Sequence, residues 1–210
     1  MLSRGIVGVW LVVVAALAIA LPAPAGAAGE GVLGTCAASA YEQPFAPWLD
    51  FASYELAPNG GLESGPDGWS LDGGAAVAAG NESFYVGDAG DTSSLSLPSG
   101  SAATTSSMCV DATSPDLRLF VRNSGSLLST LKVEALYTDV LGQPRALTVA
   151  LLAAGSTWQP TLPIPVLANL LGAPPLVTDG TTSVAFRFAP LGSRSGWRID
   201  DVYVDPFKGD

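Results

Sequence analysis

The chain has 210 residues, no histidine, and 9 basic against 19 acidic residues, a formal net charge of −10. The missing histidine excludes Ser-His-Asp and Cys-His nucleophilic sites and histidine-ligated metal centres. The negative field argues against nucleic acid and anionic membrane surfaces as partners, since both require positive charge on the protein.

Met1-Leu-Ser-Arg4 is a short positive segment, Ile6 to Leu21 is an uncharged apolar run, and Pro22 and Pro24 break it before Ala25-Gly-Ala27. This is the pattern of a secretory signal peptide over residues 1–27. The competing reading is an uncleaved anchor, because the apolar run approaches the roughly 20 residues that span a bilayer. With the leader removed, 8 basic and 19 acidic residues remain, a balance of −11, because Arg4 is its only charged residue. The remainder is sized for one domain, is expected to be secreted, and carries no further segment apolar enough to span a membrane. Its two cysteines, Cys36 and Cys109, most simply form one disulfide in an oxidising compartment. Closing so long a loop is worth about 4 kcal/mol in the chain-entropy account. Two buried thiols are the alternative.

Residues 28–56 read as an extended N-terminal arm. Pro44 and Pro47 forbid a regular helix there, and its aromatic residues, Tyr41, Phe45, Trp48, Phe51 and Tyr54, need burial against the body of the protein; an exposed binding strip is the competing reading. Asn59-Gly and Pro66-Asp-Gly mark turns around Leu62. Short strand-like pieces follow to Leu97. The second half alternates more clearly, with Val133, Ala135 and Tyr137 on one face of 131–138 and Val184, Phe186 and Phe188 on one face of 182–188. Pro165 to Leu171 is the one helical candidate, bounded by Pro and Gly172. Roughly ten short strands separated by Gly/Pro turns predict an all-β sandwich over residues 57–210.

The last strand-like stretch, Ser195 to Pro206, holds two adjacent aspartates in an apolar run. A strict period of two puts Asp200 on the face of Val202 and Val204 and Asp201 on the opposite face. Asp200 would then sit at the edge of the hydrophobic interior, where a carboxylate needs a cation or a hydrogen-bonding partner.

Two segments carry a resemblance. Asn59-Gly-Gly-Leu-Glu-Ser-Gly with Gly68-Trp69 resembles the opening motif of galactose-binding-like jelly rolls, and Trp197-Arg-Ile-Asp-Asp-Val-Tyr-Val204 resembles their closing strand. The chain is similar to the carbohydrate-binding modules of bacterial cellulases and xylanases, families four, nine and twenty-two, over about residues 57–206. The resemblance implies a jelly-roll β-sandwich of two antiparallel sheets. It also implies a structural Ca²⁺ held by the Gly61 carbonyl, Glu63 and Asp200, a set of hard oxygen ligands suited to that ion. Leu62 stands where the family has phenylalanine. Glycan contacts in this family come from exposed aromatic rings, for which Tyr85, Tyr137, Trp158 and Trp197 are the candidates, with Trp48 beside them. The arm is not part of the usual module and could cover the sugar-binding face.

No pair of acids suits glycoside hydrolysis: Asp88 and Asp91 fall in a Gly-rich turn, and Asp200 and Asp201 point to opposite faces of one strand. The sequence therefore predicts a secreted, non-catalytic protein that binds an extracellular polysaccharide. The alternative is a structural or adhesive β-sandwich without a glycan site.

Overall fold

Apolar residues at every second position in the second half of the chain demand a shared interior, and thirteen strands among the described residues supply it. The structure is a computed structural model that describes residues 40–111, 115–139, 141–166 and 181–206. The expected signal peptide, Cys36, the first part of the expected arm and most of the helical candidate lie outside these residues. The described residues belong to one compact unit, Thr35–Asp210.

The strands are β1 (Glu55–Leu56), β2 (Trp69–Asp72), β3 (Ala76–Ala79), β4 (Ser93–Pro98), β5 (Ala102–Thr105), β6 (Met108–Asp111), β7 (Asp116–Asn123), β8 (Thr130–Thr138), β9 (Pro144–Leu152), β10 (Gln159–Pro160), β11 (Ile164–Pro165), β12 (Thr181–Leu191) and β13 (Gly196–Asp205). One sheet runs β10-β7-β13-β4-β3, with β1 on β13 and β11 on β7. The other runs β2-β5-β12-β8-β9, with β6 on β12. Every pairing is antiparallel. The expected jelly-roll β-sandwich is the fold. Between the sheets, Leu131, Val133 and Ala135 of β8 and Val184, Phe186 and Phe188 of β12 meet Leu117, Leu119 and Val121 of β7. These are the faces that alternation assigns to the core.

β7 is buried on both faces because the arm covers its outer side. A 3₁₀ turn at Ala46–Trp48 follows Phe45, and Leu49 leaves it with φ 62°. Phe45 stacks on Phe120 with ring centroids 5.6 Å apart, and its edge contacts reach Tyr54 and Tyr203. Trp48 meets Phe84 at 5.0 Å. A polar lock fixes this second core. Arg118 lies 3.9 Å over the Phe45 ring and donates to Asp50 Oδ2 at 2.5 Å. Its Nε and Nη2 both donate to the Thr161 carbonyl, and Tyr54 donates to the same Asp50 oxygen. The nearly buried Arg118 charge is thus paired and hydrogen-bonded, as burial requires. Leu56, at the end of the expected arm, already pairs with Tyr203 in β13, so the arm runs directly into the sheet.

Cys109 is half-buried on β6, and no free cysteine is found among the described residues. The Cys36–Cys109 bond is expected to show as a protein with no alkylatable thiol until it is reduced. Two alkylated cysteines in unreduced material would refute it.

Candidate functional site

The face assignment of the last strand is corrected by a bulge. β13 follows β7 in register from Trp197 to Asp200, then slips: Asp200 lies opposite Phe120, and Tyr203, three residues on, lies opposite Arg118. The extra residue is absorbed at Asp201, whose φ of 45° is the left-handed conformation that aspartate tolerates better than most side chains. Trp197, Ile199, Val202 and Val204 therefore all face the core. Asp200 does not share their face. Its Oδ2 accepts the Glu82 N–H at 2.8 Å, and its Oδ1 accepts the N–H of Asp201. Its role in this geometry is to anchor the loop after β3. Glu82, also fully buried, continues that anchoring by accepting the N–H groups of Phe84 and Val86.

Asp201 takes the place expected for Asp200. It is 0% exposed, and neither carboxylate oxygen has a hydrogen-bond partner. It lines a pocket with Glu42 of the arm, Gly61, Glu63, Gly87, Asp88 and Asp91. The pocket requires small residues around the carboxylate. A Cβ on Gly61 would fall 3.1 Å from Asp201 Oδ1, and one on Gly87 would fall 2.7 Å from Asp91 Oδ2 and 3.2 Å from Asp201 Oδ1. Glu63 accepts the N–H groups of Thr92 and Ser93, which holds its carboxylate at the pocket. Burial, and after it the negative charges of Glu82 and Asp91, pushes the Asp201 pKa up to about 7. Burial and then Asp201 push Asp200 to about 9.

A buried, unpartnered carboxylate among further acids calls for a cation, and the oxygen donors match Ca²⁺. Among the described residues no three acidic side chains are close enough to hold an ion by themselves. A Ca²⁺ here would therefore need backbone carbonyls as well, as the Gly61 expectation has it. Of the expected ligands, Gly61 and Glu63 are at this pocket and Asp200 is not. The adjacency of the two aspartates signals a site in the sequence, but the bulge that chooses between them leaves no sequence mark.

A second feature crosses the outer face of the six-stranded sheet. Ser70 pairs with Thr104, Thr104 with Arg187, Arg187 with Glu134 and Glu134 with Thr148. Directly opposed residues share a face, so a row of polar side chains runs across five strands. Glu134 accepts from Lys132 at 2.8 Å and from Arg187 at 3.4 Å. The small residues Ala185 and Ala189 flank Arg187 along β12, leaving a surface over which a flat chain could lie. The arm packs on the other sheet and leaves Phe120 and Tyr203, not this row, beneath it.

The candidate aromatic residues do not gather on one face. Trp197 is fully buried and donates its indole N–H to Ser129 at 3.1 Å, so its expected role as a sugar platform is corrected to that of a core residue. Tyr137 is half-buried against the main core, as its alternation predicts. Trp48 packs into the arm cluster. Tyr85 is exposed on the 82–86 loop with φ 53°. Trp158 packs beside the arm cluster with Arg122 5.3 Å above its ring. Asn81, whose sequence Asn-Glu-Ser matches a glycosylation site, holds both side-chain polar atoms buried and unpaired.

No family model matches the chain, and neither does any curated protein. Solved structures with a similar fold include the module pair of endo-1,4-β-D-xylanase 10B from Clostridium thermocellum, described as complexed with xylohexaose. There the identity is 15%, the match covers 69% of this chain and 27% of that one, and the TM-score is 0.49. The xylan-binding domain of a Paenibacillus barcinonensis xylanase matches at 15% identity over 83% of this chain and all of its own, with a TM-score of 0.48. A module solved with β-1,4-galactotriose matches at 14% identity over 71% of this chain and 96% of its own, with a TM-score of 0.42. The chain is a jelly-roll β-sandwich that resembles carbohydrate-binding modules. It spans about a quarter of the first of these proteins, and what each of them binds is a property of that protein.

Proposed function

We propose that this is a secreted, non-catalytic protein that binds an extracellular polysaccharide across the outer face of its six-stranded sheet. The observation that carries the reading is the unbroken row Ser70, Thr104, Arg187, Glu134 and Thr148. Hydroxyl, guanidinium and carboxylate groups set one strand apart, about 4.8 Å, supply the donors and acceptors that sugar hydroxyls need. The opening and closing motifs of the sequence point the same way. Affinity electrophoresis on gels containing soluble β-glucans, xylans or related polymers tests it. Retardation is expected in at least one gel, and Arg187→Ala should weaken it by about ten-fold, the cost of losing a charge-assisted hydrogen bond.

One observation favours a structural sandwich instead: none of the candidate aromatic rings stands on that outer face. Migration unaffected by every polymer would make this second reading the better one.

The proposal includes a structural Ca²⁺ held by Asp201, Glu63 and the Gly61 carbonyl. Such an ion would neutralise the buried Asp201 charge and tie the turn after β1 to β13. It would act on stability, with no part in any chemical step.

A further inference from the structure

Two arginines face each other across the outer side of the seven-stranded sheet. Arg198 of β13 is directly opposite Arg122 of β7, and Ser96 of β4 continues the row. Like charges in such a pair repel. The ion pairs among the described residues involve Arg118, Lys132, Arg145 and Arg187, but neither Arg122 nor Arg198. Asp200, two residues further along β13, acts on Arg198 through its charge, but its two oxygens accept the N–H groups of Glu82 and Asp201.

The two guanidinium groups are held in different ways. Nη2 of Arg198 donates to the carbonyls of Ala78 and Ala79 at 2.9 and 2.8 Å and to Ser94 Oγ at 2.6 Å. That fixes the plane of the group at the β3 edge. Burial, and then the charge of Arg122, lowers its pKa. The Arg122 side chain makes no hydrogen bond among the described residues. Its guanidinium lies over the Trp158 ring. On both arginines the Nε is buried and unpaired. Two like charges, one pinned and one laid on an indole, thus meet on one face with no ion-pair partner among the described residues, on a protein whose net charge is −10.

We propose that Arg122, Arg198 and Trp158 bind the carboxylate of a single uronate sugar, the guanidinium donors on the carboxylate and Trp158 beside the ring. The planar carboxylate matches the guanidinium fork. The overall negative charge selects an isolated uronate branch on a neutral chain over a continuous polyuronate, which it would repel. The choice of a sugar as the bearer of the carboxylate rests on the polysaccharide-binding reading. The site is separate from the polar row, on the opposite sheet.

The test is an NMR titration of the full secreted protein with glucuronate, glucose and acetate, following the Trp158 indole N–H and the Arg122 Nε–H. Glucuronate alone should shift both signals, and Arg122→Ala should weaken its binding by about ten-fold or more. The same substitution should raise the melting temperature slightly, since it removes an unneutralised like charge, whereas a structural arginine would lower it. Equal shifts with acetate would mean an adventitious ion only, and no shift with glucuronate would overturn the site outright. In parallel, affinity electrophoresis compares a glucuronate-bearing xylan with the same polymer after carboxyl reduction. Stronger retardation by the former, lost in Arg122→Ala, supports the proposal. Equal retardation by both refutes it while leaving polysaccharide binding standing. No retardation by either counts against polysaccharide binding and leaves the titration to decide the anion site.

Discussion

Chelation should lower the melting temperature of this protein, added Ca²⁺ should restore it, and Asp201→Asn should abolish the response. Asparagine keeps the tolerance for the left-handed backbone that Asp201 adopts at φ 45° and removes only the charge. An ion that binds the folded state alone stabilises it by RT ln(1 + [L]/Kd), about 2.7 kcal/mol at a hundredfold excess over Kd. Asp200→Ala should behave differently. It removes the acceptor for the N–H groups of Glu82 and Asp201, so the melting temperature should fall with and without calcium while the difference between the two conditions survives.

The pH dependence gives this prediction a second arm. Without metal, the folded pKa values of Asp201 and Asp200 stand at about 7 and about 9, above the ordinary value of about 3.9. Raised carboxylate values favour the protonated folded form. Their contribution to stability is complete below the ordinary value and is lost as pH rises through 7 and then 9. Chelated protein should therefore melt lower at pH 8.5 than at pH 5. Calcium needs the ionised carboxylate, so its stabilising effect should grow over the same window. In chelator at pH 8.5, Asp201→Asn should melt no lower than the unsubstituted chain, because it removes a buried charge without a partner. A melting temperature indifferent to calcium and chelator at both pH values would show that Asp201 is satisfied in another way.

Phe45→Ala should cost about 3–5 kcal/mol in equilibrium urea unfolding, the usual range for a buried aromatic residue truncated to a methyl group. Phe45 is fully buried and touches Tyr54, Phe120, Tyr203 and the Arg118 guanidinium. The cavity would open beneath a paired charge. Leu49→Ala, in the same arm but 82% exposed, should stay within about 0.5 kcal/mol. A large loss at Phe45 with a single cooperative transition would make the arm part of the folding unit. Equal, small effects at both positions would make it an appendage.

The class of fold is legible in the chain itself. Alternation in 131–138 and 182–188 put Val133, Ala135, Val184, Phe186 and Phe188 inside, and all five are buried there. Alternation is a local property of a pleated strand, so a regular strand writes it directly into the chain. The aromatic content and prolines of 41–54 likewise marked an arm packed on the body, and Phe45, Trp48 and Tyr54 pack there, whereas Tyr41 and Phe51, also expected to be buried, are exposed. The turn motif around Gly61 and Glu63 and the paired aspartates marked both halves of the acidic pocket.

Long-range packing settles the rest, where regularity breaks or where strands distant in sequence become neighbours. One inserted residue in β13 reverses the parity beyond it, moving Val202 and Val204 onto the face of Trp197 and Ile199 and handing the pocket to Asp201. The burial of Trp197 under Ser129 follows from that face, not from its residue type. Cross-strand registers of β5, β8, β9 and β12 bring Thr104, Glu134, Thr148 and Arg187 into one row, and that of β7 with β13 sets Arg122 against Arg198. No local pattern encodes such meetings, because register is set by the packing of whole faces against each other and by the bulges that adjust them.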